Sequence, residues 1–231
     1  NRNFFTMVER INELIAENYK KQLMLKETEF RALQAQINPH FLYNTLESIN
    51  WLAKTNRQPQ ISKMTESLGF LLRNAINMKN DVVTIEEEAE IVLHYFTIQR
   101  FRFEERLVFE LDIEPAVKKC RVPKLVLQPL AENAITYCLE PFIEPCHIHI
   151  KAYKKGGFVY LTVTDNGPGM DEDFLEKARK ELVRTRGRGI GLQNIDERIQ
   201  LMFGKGYGLT ISSEKNKGTE MLIKIPFQSG V

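Results

Sequence analysis

The sequence contains no long apolar run and almost no net charge, and both absences exclude whole classes of function. No apolar stretch approaches the ~18 residues that a membrane span requires, and no signal-peptide pattern is present. The 32 basic and 30 acidic side chains nearly cancel, so bulk electrostatics give no reason to expect a nucleic-acid partner or an anionic membrane surface. A hydrophobic fraction of 43% over 231 residues predicts an ordinary globular protein of one large or two medium domains.

Cysteine is scarce as well. The chain has three, Cys120, Cys138 and Cys146, and an odd number without a disulfide-framework spacing favours reduced thiols in a cytosolic setting. His147 and His149 share one face of a predicted strand near these cysteines, which raises the alternative of a zinc site. The spacing matches no closed structural zinc site, so ordinary strand residues are the favoured interpretation.

Proline and glycine are absent from about Phe4 to Gln36. Over this stretch apolar residues recur at mixed spacings of three and four, which predicts a long helix with a narrow apolar seam. Such a helix needs a partner, and a self-paired coiled coil is the favoured one. A single helix packed on the surface of its own domain is the alternative. Because the sequence begins directly in this helix, we interpret it as a piece of a longer protein.

The helical pattern continues through Pro39, where a proline inside a helix breaks a backbone hydrogen bond, and His40 follows at once. On a helical wheel the apolar residues beyond this point lie opposite His40, so the histidine is predicted to face solvent. Asn44 and Glu47 lie on the side of His40. Trp51 also lies there, and for it we favour packing against a second helix over docking a partner.

A second amphipathic helix is predicted from Ile61 to Ile76, after a polar turn that follows the end of the first helix near Lys54. Two antiparallel helices with apolar stripes are too thin to bury a core, so two copies are expected to form a four-helix bundle. Thr84 and Glu87 then have the spacing of a capping box, which predicts a helix running to about Phe101.

Beyond this helix the periodicity becomes that of strands mixed with helices. Helices are predicted at Pro123–Leu139, with Pro123 in the first helical position, and at Ile190–Phe203. Strands are predicted at residues 107–113, 147–153, 158–164, 209–213 and 220–225. Gly156-Gly157 predicts a hairpin between the second and third of these, and the last two form a second hairpin across Lys215 to Gly218. The mixture predicts an α/β sandwich, and the fold class of the whole chain is α+β. The predicted domains are a signalling coiled coil at 1–36, a helical hairpin at 37–82, and the sandwich with its connecting helix at 83–231.

Three short motifs in the second half suit nucleotide binding: Glu132-Asn133-Ala134, Asp165-Asn166-Gly167-Pro168-Gly169-Met170 and Gly187-Arg188-Gly189-Ile190-Gly191-Leu192. In the third motif, glycines before a helix let backbone N–H groups approach a phosphate. In the second, a confined carboxylate such as Asp165 could accept a hydrogen bond from the amino group of a base. In the first, the amide oxygen of Asn133 suits Mg²⁺. Each motif alone is a weak signal, since the second is more often a plain turn and the third fits several folds. Their occurrence in this order is the stronger signal.

The ordered set, with Gly218-Thr219 as its last member, resembles the ATP-binding domain shared by histidine kinases, Hsp90, DNA gyrase and MutL. The segment Pro39-His40-Phe41-Leu42-Tyr43-Asn44 is similar to the histidine box of sensor histidine kinases of the YesM/LytS type, and the likeness covers nearly the whole chain. The resemblance implies a homodimer that phosphorylates a histidine from ATP and transfers the phosphoryl group to a response regulator, possessing an AraC-type DNA-binding domain. It also implies the cytoplasmic part of a cell-membrane receptor, anchored through an N-terminal region outside this sequence.

The resemblance assigns roles residue by residue. His40 would be the phosphoacceptor. From their positions roughly one and two turns further on, and not from the resemblance, we interpret Asn44 and Glu47 as residues that orient its imidazole so that the far nitrogen attacks. Asn133 would be the Mg²⁺ ligand. The ATP-binding roles fall to Asp165 and Thr219 for the adenine, Gly167 and Gly169 for the approach of the base, Gly187, Gly189 and Gly191 for the phosphate end, and residues 170–187 for a mobile lid.

Two departures from the family pattern keep an alternative open. Thr136 stands where relatives usually carry a lysine or arginine, and Phe41 stands where many other histidine kinases carry an acidic residue, so the general base is unassigned. A catalytically weak ATP-binding switch is therefore the alternative function. An ATPase of the Hsp90/MutL kind is disfavoured, because Pro129 occupies the position of the glutamate base of those enzymes.

Overall fold

The structure is a computed structural model that describes residues 21–22, 38–76, 81–139, 144–183 and 190–228. The predicted coiled-coil helix lies outside the described residues except for residues 21 and 22, which are helical. The chain divides into two compact units, residues 1–46 and 47–231. The predicted domain boundaries at 36 and 82 stay predictions. Within the described ranges, no helix combines the length and the apolar character of a membrane span.

The described part of the chain is helical first and mixed afterwards, which confirms the α+β class. Its helices are α1 (Pro39–Thr55), α2 (Pro59–Ile76), α3 (Ile85–Phe103), α4 (Leu127–Leu139), α5 (Glu172–Val183) and α6 (Ile190–Phe203), with a 3-10 turn at Glu104–Arg106. Its strands are β1 (Val82–Thr84), β2 (Leu107–Ile113), β3 (Arg121–Pro123), β4 (Cys146–Lys155), β5 (Phe158–Asp165), β6 (Gly208–Glu214) and β7 (Gly218–Pro226).

Helix α1 begins at Pro39 and does not pass through it, so the predicted helix-interior proline was wrong. Asn38 caps the helix, because its Oδ1 accepts a hydrogen bond from the backbone N–H of Phe41 at 3.2 Å. At the first helical position a proline loses no hydrogen bond, since that N–H has no partner within the helix.

Helices α1 and α2 form the predicted hairpin, and a polar network fixes their register. Glu66 accepts from Nζ of Lys54 at 2.7 Å and from the amide of Asn50 at 3.2 Å, and the Asn50 carbonyl accepts from Ser62 at 2.6 Å. Trp51 is 65% exposed, so its predicted packing against α2 was wrong. The buried residues of the hairpin are instead small: Ala53 on α1, and Ser62, Thr65, Ser67 and Gly69 on α2.

Helix α3 connects the hairpin to the sheet. Its N-terminus is the predicted capping box: Oγ1 of Thr84 accepts from the N–H of Glu87 at 3.2 Å, and the Glu87 carboxylate accepts from the N–H of Thr84 at 2.7 Å. Helix α2 packs against α3, where the ring of His94 stacks on Phe70 with 4.1 Å between centroids and hydrogen-bonds Ser67 at 3.1 Å.

Pro123 is the last residue of β3 and not the first residue of a helix, which corrects the predicted start of α4. It pairs with Val82 of β1 in a small antiparallel sheet that the sequence did not indicate. The chain then turns through Leu125, which has a φ of 59°, and α4 begins at Leu127. A strand of three residues is too short to give a period-two signal.

A five-stranded sheet in the order β2-β4-β5-β7-β6 forms the second half. Strands β2 and β4 are parallel and the other neighbours are antiparallel, as in the two predicted hairpins. Helices α4 and α6 pack on one face. Alternate strand residues are buried beneath them, among them Ile148, Ile150, Leu161, Val163 and Ile223.

Residues 172–183 form helix α5, a helix that the sequence pattern did not indicate, within the stretch predicted as a mobile lid. Asp171 caps α5 by accepting from the N–H of Phe174 at 2.9 Å, and Leu175 is buried in the core. The segment is rich in Glu, Lys, Ala and Leu, which favour helix even where few residues are apolar. Closure of this segment over ATP stays a prediction.

Candidate nucleotide site and phosphoacceptor

His40 lies in the first turn of α1 and is exposed, as predicted. One turn further along the helix, the amide nitrogen of Asn44 lies 3.2 Å from Nδ1 of His40. The spacing of four residues places the two side chains on one face of the helix. Asn44 therefore holds the imidazole by the nitrogen nearer to the backbone. Glu47 is exposed on the same helix.

In the second unit, strand register brings Asp165 into a polar row at one end of the sheet. Asp165 of β5 lies opposite Thr219 of β7, and Thr219 lies opposite Ser213 of β6. Along each strand these residues follow the buried alternate positions, so the row lies on the face that the helices cover. Two residues that were predicted to hold adenine are thus neighbours.

Ser213 is a member of this row that the motifs did not indicate. Its Oγ lies 2.9 Å from Oγ1 of Thr219, donates to the carbonyl of Gly218 at 2.9 Å and accepts from the N–H of Met170 at 2.9 Å. It therefore joins the end of β7 to the loop that follows Asp165. The alternation of Leu209, Ile211 and Ser213 was the available signal, because it places the serine on the buried face.

The carboxylate of Asp165 is partly buried. Burial raises the pKa of Asp165 above its ordinary value of 3.8, while hydrogen bonds from the N–H groups of Gly167 and Thr219 lower it. The bond from Gly167 reaches Oδ1 at 2.9 Å. A carboxylate so placed is a strong acceptor for an N–H donor of a ligand.

The glycines of the Asp165 loop are required by contacts within the protein. A Cβ on Gly167 would lie 3.1 Å from Cα of Cys138 on α4 and 2.8 Å from Oδ1 of Asp165. Gly169 has a φ of 63°, and a Cβ there would overlap the carbonyl oxygen of Glu214. Close approach of the loop to α4 and β6 explains both glycines; their predicted role toward a base stays a prediction.

Cys138 and Cys146 form a disulfide, so the prediction of reduced thiols was wrong for this pair. Their Cα atoms lie 5.9 Å apart, within the usual range of a disulfide, and the bond joins the last turn of α4 to the start of β4. Cys120 is free and buried. The pairing follows from the packing of α4 on β4, which sequence spacing does not reveal.

Asn133 lies near the middle of α4 and is half-buried. Its amide makes no hydrogen bond to another described residue, so an oxygen suited to a hard cation remains available. Gly191 is exposed in the first turn of α6. Gly187 and Gly189 lie outside the described residues.

Comparison with known proteins matches both halves of the chain. Residues 28–107 match the family model described as histidine kinase, and residues 121–229 match the model described as histidine kinase-, DNA gyrase B-, and HSP90-like ATPase. The sensor histidine kinase YesM of Bacillus subtilis (strain 168) is 66% identical over 231 residues, which are 100% of this chain and 39% of that protein. The chain belongs to the sensor histidine kinases of the YesM/LytS type.

More distant sensor histidine kinases also match most of the chain. The sensor protein LytS of Bacillus anthracis is 34% identical over 208 residues, covering 90% of this chain and 35% of that protein. The chain thus spans between about a third and two fifths of the length of these relatives. The crystal structure of full-length ShkA in complex with AMPPNP has a similar fold, with a TM-score of 0.51 at 17% identity over 87% of this chain and 46% of that chain.

The described residues of the second unit are chemically suited to the adenine and the Mg²⁺ that the resemblance implies. The Asp165, Thr219 and Ser213 row offers acceptors and hydroxyl groups, and the Asn133 amide offers an oxygen not otherwise engaged among the described residues. Thr136, the departure from the family pattern, is exposed on α4 beside Tyr137. The motifs of the sequence indicated Asp165, Thr219 and Asn133, whose ligand roles stay predictions, and they did not indicate Ser213.

Proposed function

We propose that this chain is the kinase portion of a two-component sensor, in which ATP phosphorylates His40 and the phosphoryl group passes to an aspartate of a response regulator. The observation that best supports this is the 3.2 Å contact between the Asn44 amide and Nδ1 of His40. It holds an exposed imidazole by one nitrogen and directs the other, Nε2, away from the helix. Phosphoryl transfer requires such positioning more than it requires covalent chemistry from the protein.

Asn44 fixes the imidazole tautomer in this proposal. A half-turn of its side-chain amide exchanges nitrogen and oxygen, and the oxygen then accepts a hydrogen bond from Nδ1–H. The proton stays at Nδ1 and Nε2 keeps its lone pair. That lone pair forms the bond to the γ-phosphorus as the bond from this phosphorus to its bridging oxygen breaks, and ADP leaves. Glu47 would assist the orientation from the same helix.

ATP would be held in the second unit, at the polar row of the sheet. Asp165 would accept from the exocyclic amino group of adenine, with Thr219 and Ser213 beside it. Gly191 lies at a helix N-terminus, where backbone N–H groups and the helix dipole favour phosphate. Asn133 would hold Mg²⁺, which supplies neutralisation of charge on the phosphates.

The proposed partners are a second copy of the chain and a response regulator. Exposed apolar residues of the α1–α2 hairpin support association of two copies as a four-helix bundle. They are Ile49, Leu52, Ile61, Met64 and Leu68. By resemblance, the regulator would possess an AraC-type domain, and this chain would be the cytoplasmic part of a cell-membrane receptor attached through a region outside this sequence.

Incubation with Mg²⁺ and γ-labelled ATP tests the proposal. We expect label that is labile in acid and stable in base, because a phosphorus–nitrogen bond has that behaviour. His40→Gln should lose it. His147→Gln removes an exposed histidine of β4 and should keep the label. Label that persists in His40→Gln would contradict the assignment of the acceptor.

A catalytically weak ATP-binding switch is the second candidate. It is supported by Thr136, where relatives usually carry a lysine or arginine, and by Phe41, where many other histidine kinases carry an acidic residue. It predicts nucleotide binding without phosphohistidine. Sustained phosphate release that does not depend on His40 would instead favour an ATPase, which Pro129 disfavours.

A further inference from the structure

Glu88 is a fully buried acidic residue that no nucleotide motif contains. It lies in the first turn of α3 and is 0% exposed. Its carboxylate accepts hydrogen bonds from the backbone N–H groups of Leu125 at 2.6 Å, Val126 at 2.8 Å and Leu127 at 2.9 Å. These N–H groups end the turn before α4 and begin that helix. Glu88 therefore caps α4 from a neighbouring helix.

Arg106 makes the corresponding contact at the other end of α4. It lies in the 3-10 turn directly after α3, and its Nη2 donates to the carbonyl oxygen of Leu139 at 2.9 Å. Leu139 is the last residue of α4, where carbonyl groups lack partners within the helix.

The two contacts match the electrostatics of α4. A helix carries partial positive charge at its N-terminus and partial negative charge at its C-terminus. Glu88 meets the first end; burial raises the pKa of its carboxyl, while the hydrogen bonds from the three N–H groups favour the negative carboxylate. The positive Arg106 meets the second end. Since one segment supplies both residues, α3 and α4 run side by side in the same direction, and the described packing of α3 on α4 agrees with this.

We propose that Glu88 and Arg106 are positioning residues of the kinase: they hold both ends of α4 and thereby place Asn133, midway along it, for Mg²⁺. This inference rests on the proposed function. Asp165 belongs to the sheet and not to α4, so a displacement of α4 changes the place of Asn133 relative to the adenine site. The Mg²⁺-dependent part of ATP binding then depends on Glu88 and Arg106, and the Mg²⁺-independent part does not.

The two ends of α4 differ in how many contacts hold them. The C-terminal end is also held by the disulfide from Cys138, and by its close contact with Gly167. At the N-terminal end Glu88 binds three N–H groups by itself. Loss of Glu88 is therefore expected to have the larger effect.

The test is ATP affinity, measured by calorimetry with Mg²⁺ and again with EDTA, on the full chain. In Glu88→Gln, which replaces one acceptor oxygen by an amide donor, the affinity gain from Mg²⁺ should fall by about tenfold. In Arg106→Gln it should fall by about threefold, and Arg106→Lys should restore most of the loss. Affinity in EDTA should stay within about twofold in all variants.

Matched controls come from exposed residues of the same helix. Glu86→Gln removes an acid from the first turn of α3, and Arg100→Gln removes a base from its last turn; both should behave as the unmodified chain. Equal losses of ATP affinity with Mg²⁺ and with EDTA would show that Glu88 and Arg106 have only a general structural role. Unchanged ATP affinities would show that they have no role in binding. Either result overturns the inference.

Thermal unfolding without nucleotide identifies variants that fail to fold. If Glu88→Gln does not fold, the positioning inference is tested by comparing the Mg²⁺-dependent ATP affinity of Arg106→Gln with that of Arg106→Lys. An unmodified chain that binds no ATP in either condition would overturn the proposed function and, with it, the positioning inference. A failure confined to the variants overturns the positioning inference alone.

Discussion

Asp165 is subject to two opposing requirements. Ligand recognition favours a charged acceptor, whereas burial disfavours the charge and raises the pKa of Asp165 above 3.8. Folding stability from a group with a raised pKa is present below the pKa of the unfolded chain and is lost as pH rises through the folded value. Once the pH exceeds the folded pKa, the ionised Asp165 therefore destabilises the fold.

Asp165→Asn should accordingly keep or raise the thermal midpoint at pH 7 and abolish ATP binding. The asparagine oxygen can still accept from Gly167, but its NH₂ group meets the amino group of adenine as a second donor. Differential scanning fluorimetry and calorimetry with ATP measure the two effects. Asp112→Asn changes an exposed acid of β2 and should alter neither. Retained ATP binding would contradict the role of Asp165 in the adenine site. A large loss of thermal stability would contradict the expected direction of the stability change.

Individual residues were predictable where a local motif carries the signal. The capping box of Thr84 and Glu87 is defined by neighbours in sequence, and the structure confirms it. The Asp165 motif is equally local, so the sequence could indicate it, and its ligand role stays a prediction. Glu88 and Ser213 act on segments far along the chain, and only the packing of α3 on α4 and the register of β6 on β7 reveals their partners. The Cys138–Cys146 pair was missed for the same reason.

At the scale of elements, long strands and helices were predicted well because their periodicity extends over several repeats. The hairpin around Gly156-Gly157 and helix α6 agree with the sequence pattern. Short or weakly apolar elements were not predicted. Strand β3 has only three residues, too few for a period-two signal. Helix α5 is stabilised by its Asp171 cap and by helix-favouring residues, which leave no apolar pattern. Pro39 was assigned to a helix interior, whereas it occupies the first helical position, where proline is common.

The contact between α2 and α3 contains an ionisable group, the imidazole of His94. Burial lowers the pKa of His94 below its ordinary value of 6.5, while the charges of Glu90 on α3 and Glu66 on α2 raise it. A base with a lowered pKa contributes stability above its unfolded pKa, and this is lost as pH falls through the folded value. Protonation of His94 therefore weakens the packing of the hairpin on α3.

His94→Phe should reduce the loss of thermal stability between pH 7.5 and pH 5.5, because the phenyl ring keeps the stack on Phe70 and carries no titrating nitrogen. The midpoint at pH 7.5 is expected to fall, since the hydroxyl of Ser67 loses its partner. Fluorimetry at both pH values measures the difference. His147→Gln, at an exposed position, should leave the pH dependence unchanged. Equal pH dependence in His94→Phe and the unmodified chain would argue against this role.

For the whole molecule, the apolar surface of the α1–α2 hairpin is the feature that a single copy does not explain. Leu52 is 53% exposed and Leu68 is 46% exposed, and burying a leucine side chain contributes about 1.5–3 kcal/mol. Two copies that bury these residues would also give Trp51, now exposed, a place beside the new interface. Association should therefore depend on the leucines and little on the polar network of Lys54 and Glu66.

Sedimentation equilibrium should detect a species of twice the 26.9 kDa chain mass, and Leu52→Asp or Leu68→Asp should weaken its formation by at least about tenfold, because a carboxylate would lose its hydration in the interface. Leu201 on α6 is 86% exposed and lies away from the hairpin in sequence and in fold, so Leu201→Asp is the matched control and should leave the dissociation constant unchanged. If all three variants associate as the unmodified chain does, the hairpin surface is not the dimer interface, and the predicted N-terminal coiled coil becomes the element that joins the two copies.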